Sequence, residues 1–378
     1  MFRTLARLAT RIRSTSTAGA VQALCDEAAA AFGARRYAEA ARCADRAVTI
    51  DPASAPGHFL LGCARLELGA CEAAEASFEA CLRQEPEYPM VLHAAMCRAL
   101  SRARAGLAAG RTPRIVRTTA GADKRISVII CSVDPQRFEK VQANYRTLLG
   151  SVSHEIIGIH DASSLCEGYN RGAARASGEI LVFSHDDIEI VTADFAARLL
   201  DHLSRHDLVG VAGATRLIGG SWTYAGWPHL CGQVGSRIMK PGSLAVTVFG
   251  LQEGAAGTVQ ALDGVFLAAR REVLERIRFD ERTFDGWHLY DLDFSFSAHL
   301  AGFRLAVCQD ICLIHDSLGT YQADWQRYVD RFEDKHRGRL QKDQWHAQKR
   351  CSVEVASAEE WMLMAEEMIS PATRATTR

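Results

Sequence analysis

Apolar positions along the chain change their rhythm near residue 125. From residue 20 to 105 the text is rich in Ala, Leu and Arg, and only Pro52, Pro56, Pro86 and Pro89 break it. Such text favours helices, because these residues lose little conformational freedom in a helix. It also repeats. Tyr37-Ala38-Glu39-Ala40-Ala41, closing at Asp51-Pro52, returns as Cys71-Glu72-Ala73-Ala74-Glu75, closing at Glu85-Pro86, an offset of 34 residues. That is the period of tetratricopeptide helix pairs. Leu61-Gly62 on one helix and Ala74 with Phe78 on the next supply the small and large residues that let two helices approach closely. Two full units and a third first helix, Pro89 to Arg104, are expected. They would serve as a surface for a protein partner or for self-association, or as a spacer or lid.

Residues 106–124, rich in Gly, Ala, Arg and Thr, read as a linker. Beyond it, short β-branched runs at Ile126–Ile130, Ile156–Ile159 and Ile180–Phe183 are separated by helical text at Gln136–Leu149 and Tyr169–Ala176. Strand and helix alternating at this spacing predict a mostly parallel sheet with crossover helices, a Rossmann-like α/β domain. Leu208–Ala212, Val265–Ala268, Arg304–Ala306 and Ile311–Ile314 read as further strands. Helical text follows Tyr290, ending at Gly302, and again from Gln322 to His346. The expected layout is a basic tail over 1–19, helical repeats over 20–105, the linker, the α/β domain over 125–320, a helical extension over 321–369 and a disordered tail over 370–378.

The bulk numbers change this picture little. Hydrophobic residues are 48% and charged residues 24%, and 378 residues give room for two globular domains. A net charge of −1 provides no field to draw the protein onto nucleic acid. The twelve cysteines lie singly, with no CxxC pair, which points to a reducing, cytoplasmic setting without disulfides or a zinc site. No apolar run approaches the roughly 20 residues that span a bilayer. Arg3, Arg7, Arg11 and Arg13, with no acid before Asp26, read as a solvated basic tail. They leave a transit peptide or peripheral membrane attachment open.

Candidate chemistry lies at the strand ends, where open α/β sheets bind ligands. After the first strand come Ser132 and Asp134, after the second Asp161, after the third His185-Asp186-Asp187. Adjacent carboxylates and an imidazole at a strand end are costly unless a cation neutralises them, and Asp with His suits Mn²⁺, or Mg²⁺ with water in the other positions. Asp291 and Asp293 open the helix that follows Tyr290. Two residues apart, they point about 200° away from each other, so at most one faces a given ligand. His315 ends the strand Ile311–Ile314 and matters only where the fold carries it to the acidic cluster.

In order and spacing these segments resemble the family 2 glycosyltransferases. The segments are Ile126–Ile130, Glu155–Ser164, Tyr169–Ala174, Gly178–Asp187, Leu262–Ala268 with Arg270–Leu274, and Tyr290–Phe294. The resemblance covers roughly residues 125 to 320 and is nearest the branch related to a streptomycin-biosynthesis protein, where His-x-Asp replaces Asp-x-Asp. It implies a GT-A fold and a metal-dependent, inverting transfer from a nucleoside-diphosphate sugar to a hydroxyl acceptor, whether saccharide, lipid or protein. It also implies roles: Asp161 on the base, Ser132 and Asp134 in the nucleotide pocket, Asn170 and Arg171 near the diphosphate. Asp186 and Asp263 would join the donor site. Asp187, His185 and His315 would hold Mn²⁺ or Mg²⁺, and Asp291 would be the general base. Trp222, Trp227 and Trp287 are candidates to stack on a sugar, and the glycine-rich stretch 213–257 reads as a mobile specificity loop. Two positions depart from the pattern: Ser184 stands where the usual motif begins with Asp, and Tyr290 replaces the Glu of a Glu-Asp pair. They leave room for a second expectation, a degenerate scaffold whose helical repeats bind a protein. A nucleotidyltransferase would need a glycine-rich phosphate loop after the first strand, and Cys131–Arg137 contains no glycine.

Overall fold

The computed structural model describes residues 16–84, 87, 89–118, 121, 123–237, 243–250, 259–317, 323–341 and 351–369. The basic segment 1–15 and the tail 370–378 lie outside them. The chain forms two compact units, residues 1–114 with 350–378, and residues 115–349.

The first unit is helical: α1 (Ser16–Gly33), α2 (Tyr37–Ile50), α3 (Ala55–Glu67), α4 (Cys71–Arg83) and α5 (Met90–Ala108). The helices α2 and α4 begin at the two repeated motifs. Ser54 caps α3, its side chain accepting from the amide of Gly57, with a proline in the first turn. A Cβ on Gly62 would stand 2.7 Å from the Phe78 ring, so glycine is what allows α3 and α4 their close approach. Residues 351–369 belong to this unit, and their helix packs on α5. Arg102 on α5 meets Glu367 at 3.6 Å.

The second unit carries β1 (Ile126–Cys131), α6 (Pro135–Leu149), β2 (His154–Ile159), α7 (Leu165–Arg175), β3 (Ile180–Ser184), β4 (Ile188–Ile190), α8 (Phe195–Arg205), β5 (Leu208–Gly210) and β6 (Ala212–Ala214). Then follow β7 (Leu230–Ser236), β8 (Leu244–Gly250), β9 (Ala261–Leu262), β10 (Phe266–Arg270), α9 (Arg271–Arg276), α10 (Tyr290–Leu300), β11 (Leu305–Val307), β12 (Leu313–His315) and α11 (Ala323–Lys335). One sheet runs β11-β5-β10-β3-β1-β2, with β10 antiparallel to its neighbours and the other pairings parallel. This is the mostly parallel α/β arrangement that the alternation of strand and helix text predicts. The strands β1 and β3 are mostly apolar, with Ser127 and Ser184 the polar exceptions, because helices cover both faces. Val128, Ile130 and Val182 pack with Tyr145 of α6 and Phe195 of α8, while Ile129, Leu181 and Phe183 pack with Tyr169 of α7 and Phe294 of α10.

The stretch 213–257 is partly strand, rather than one continuous loop, over its described residues. The strands β6, β7 and β8 belong to a second sheet with β9, β12 and β4. Its glycines serve close backbone packing. Gly232 sits at φ +104°, and a Cβ there would lie 2.2 Å from the carbonyl oxygen of Val211. Residues 238–242 and 251–258 fall outside the described residues. Among those described, no helix is long and apolar enough to cross a membrane.

Candidate active site

Register places the strand ends level with one another. Ile130 pairs with both Gly158 and Ser184, so Ser132 and His185-Asp186-Asp187 leave the sheet at the same edge. The strand β10 enters beside β3, with Phe266 opposite Ser184, and this sets the turn Asp263-Gly264-Val265 against His185. The second sheet completes the cluster. In it β4 starts directly after Asp187, and β12 pairs with β4 so that His315 stands opposite Ile188. Two short strands thus bring a histidine 128 positions downstream to the third strand end.

A cavity of about 550 Å³ opens there. Its walls include Ser132, His185, Asp186, Asp187, Asp263, Asp291 and His315. His315 Nε2 lies 3.3 Å and His185 Nδ1 3.7 Å from Asp187 Oδ1. One ligand atom from each of these three residues lies within 4.8 Å of the others, a nitrogen, nitrogen and oxygen set of the kind that holds a divalent cation. Burial, with His315 alongside, lowers the His185 pKa from its ordinary value. Burial alone would raise the Asp187 carboxyl, but the bond and charge of His315 bring it below the usual range. Burial also opposes charge on His315, yet Asp187 raises its pKa.

Across the cavity, α10 starts from Leu289, a buried non-glycine residue at φ +60°. That conformation costs about 1 kcal/mol and is retained where packing enforces it. Asp291 Oδ2 accepts from the Gly264 amide at 2.8 Å. Burial, then the neighbouring charge of Asp263, push the Asp291 pKa up to about 7. Asp263 itself accepts from Trp222 Nε1 at 3.0 Å and from the Val265 amide at 3.0 Å. Ser132 Oγ donates to Asp186 Oδ2 at 2.7 Å.

Not every candidate lines this cavity. Asp134 caps α6, its Oδ1 accepting from the amides of Gln136 and Arg137. Asn170 staples α7 to the 279–281 segment through Phe279 and Glu281. Asp161 is 78% exposed and pairs with Arg171 at 2.9 Å, beside the cavity-lining Ala162. Ser184 is fully buried and donates to the carbonyl of His185, so it faces the fold rather than the cavity. Trp222 is buried on Asp263, whereas Trp287 is 52% exposed in the cavity wall. Sequence reasoning gave no role to Tyr290 beyond a departure and none to Gly264. Tyr290 Oη lies 2.7 Å from His185 Nε2 and 3.2 Å from the Gly264 carbonyl. The substitution of Tyr for Glu beside a His-x-Asp cluster was the available signal.

A mostly parallel sheet thus ends in a carboxylate and imidazole cluster, with the half-buried carboxylate of Asp291 opposite. Residues 127–344, more than half of the chain, match the Glycosyltransferase like family, and the chain belongs to it. Among curated proteins none matches the chain. Among solved structures, it is similar to the mannosyltransferase PcManGT from Pyrobaculum calidifontis in complex with GDP-Man and Mn²⁺. That protein is 13% identical, over 80% of this chain and 83% of the other, with a TM-score of 0.37. It is also similar to GalNAc-T7 with UDP, GalNAc and Mn²⁺, 14% identical over 56% of this chain and 48% of the other, TM-score 0.34.

Proposed function

We propose that the cavity binds a nucleoside-diphosphate sugar and transfers the sugar, with inversion, to a hydroxyl acceptor. The observation that carries this is the placing of a half-buried carboxylate, Asp291, in one cavity with the His185, Asp187 and His315 donor set. Those three residues fit a divalent cation, and two imidazole nitrogens favour Mn²⁺ over the harder Mg²⁺. When bound, such a cation supplies charge that stabilises the departing diphosphate. Asp291, oriented by the Gly264 amide, takes the proton of the acceptor hydroxyl. The acceptor oxygen bonds to the anomeric carbon as the bond from that carbon to the diphosphate oxygen breaks, and the nucleoside diphosphate leaves. One displacement inverts the centre. With its pKa near 7, Asp291 is a better base than an ordinary carboxylate, and it acts mainly in the transition state.

The chain's other residues hold and exclude. Asp186 is fixed by Ser132, and Asp263 by Trp222, so both present defined acceptors to a donor's hydroxyls. Asp161 with Arg171 would meet the base from the exposed side, while Asp134 and Asn170 would support the pocket by holding α6 and α7. Trp287 offers a face for a sugar ring. The helical unit would serve a protein partner or self-association.

Calorimetric binding of UDP, GDP and TDP, each with and without Mn²⁺, to the wild type and to Asp187→Ala tests this. Metal-dependent binding of one diphosphate, lost in the variant, supports the donor site and names the base. A folded protein that binds none of them would leave the α/β unit a scaffold.

A further inference from the structure

The residue at position 290 has a job that the glutamate it replaces could not do in the same way. Tyr290 is buried at the start of α10, and its hydroxyl touches two groups. One is the carbonyl of Gly264, an acceptor only, at 3.2 Å. The other is His185 Nε2 at 2.7 Å. A tyrosine hydroxyl has one proton. The Gly264 carbonyl is buried in a turn and needs a donor, and the Tyr290 hydroxyl is the donor within reach. With that proton spent on Gly264, the tyrosine oxygen can only accept, so Nε2 must carry the hydrogen. A neutral His185 then has its lone pair on Nδ1. That nitrogen is the one facing Asp187 Oδ1 at 3.7 Å, where two acceptors would oppose each other without a cation between them.

We infer that Tyr290 is a positioning residue: through the chain Gly264 carbonyl, Tyr290 hydroxyl, His185 Nε2, it locks His185 in the Nε2–H tautomer and aims Nδ1 at the divalent cation. The inference rests on the proposed metal site and adds to it the group that orients one ligand, as outer hydrogen bonds commonly do for metal-bound histidines. Glycine is required at 264 for the same device, since a Cβ there would lie 2.3 Å from the tyrosine oxygen.

The test uses the full chain with ¹⁵N-labelled histidine and Mn²⁺ as the probe. Ring-nitrogen shifts of metal-free wild type, with His185 assigned from His185→Gln, report the tautomer without calling on activity or on any variant's stability. The expected result is Nε2–H for His185, relaxing to a mixture in Tyr290→Phe. Mn²⁺ titration followed by electron paramagnetic resonance should show affinity about 10-fold weaker in Tyr290→Phe, and lost in His315→Ala. Wild-type His185 as the Nδ1–H tautomer, or unchanged Mn²⁺ affinity in Tyr290→Phe while His315→Ala fails to bind, would overturn the positioning role and leave the metal site standing. Absence of Mn²⁺ binding by the wild type would sink the metal site and the role together.

Discussion

Asp291 and Asp293, two residues apart in the first turn of α10, have opposite fates. Asp291 lines the cavity and accepts from Gly264. Asp293 points into the protein, 1% exposed, and meets Lys335 Nζ and His336 Nε2, each at 2.8 Å. The helix geometry separates a carboxylate that faces the cavity, the proposed base, from one that holds α10 to α11. Asp293→Ala should therefore cost about 3 kcal/mol, because it strands a buried partner charge. It should leave the pH dependence of turnover unchanged. Chemical denaturation and a pH–rate profile check both halves.

The same separation makes Asp291→Asn informative. Turnover should fall about 10²- to 10⁴-fold while binding of the nucleoside diphosphate stays at the wild-type level. Loss of diphosphate binding with turnover preserved would remove Asp291 from the role of base.

A carboxyl raised to about 7 also dictates a pH profile. Below that pH, kcat/KM should drop tenfold per unit as Asp291 protonates. A cation in the cavity favours the carboxylate and should move the limb to lower pH. Stability runs the other way. The folded pKa lies above the unfolded value of about 4, so ionisation destabilises the fold progressively as pH rises from about 4 to about 7. Asp291→Asn should raise the melting temperature at pH 8 and leave it unchanged near pH 3. Equal effects at both would mean that the Asp291 carboxyl is not raised in the fold.

Much of this was legible in the chain, and for definite reasons. The runs Ile126–Ile130 and Ile180–Phe183 are buried on both faces, so nearly continuous apolar text, broken only by Ser127, marks them. The direction of β10 was not legible, because Val265–Ala268 has the same composition whether it runs parallel or antiparallel. Leu208–Ala212 read as one strand and is divided between two sheets, β5 and β6, with Val211 between them. Gly232 and its neighbours suggested mobility because glycine's freedom and its lack of a Cβ leave the same letter. Only the second use holds in β7. Asp134 and Asn170 illustrate another ambiguity. A polar side chain at a strand end satisfies a helix terminus or a loop as readily as a ligand. The strand before His315 was legible, but its placing beside Asp187 depended on pairing with β4, a three-residue strand that no periodicity reveals.

Away from the cavity, His202 offers a test of the sheet's support. It lies 2.6 Å from Asp310, which also meets Arg198. Burial opposes charge on His202, but Cys308 and Asp310 beside it raise its pKa to about 10. Burial likewise works against the Asp310 carboxylate, yet His202 and Arg198 lower it to about 2. The histidine's contribution is fully present below its unfolded pKa of about 6.5 and is lost as pH rises towards 10. The aspartate's contribution is present above about 4 and is lost as pH falls towards 2. Unfolding free energy should plateau between those limits. His202→Gln should flatten the alkaline decline, and a decline of unchanged slope would assign it to other groups.

Gly264→Ala draws these relationships together. The added Cβ would lie 2.3 Å from Tyr290 Oη and 2.6 Å from Asp291 Cβ, closer than real contacts allow. The turn has little room to retreat, because the Asp263 amide donates to Ala212 and the His185 amide to Val265. The start of α10 must shift instead, which moves Asp291, the proposed base, and frees His185 at once. Displacements of about 1 Å at such a site cost roughly 10² in rate. Gly302→Ala is the control. Gly302 ends α10 at φ +87° with nothing within 4 Å of a built Cβ, so alanine there costs about 1 kcal/mol of backbone strain and touches no catalytic group. Turnover and Mn²⁺ affinity should both fall in Gly264→Ala and stay at wild-type values in Gly302→Ala, although both variants melt earlier. Equal turnover in the two would show that the 263–265 turn merely packs and does not set the geometry of the site.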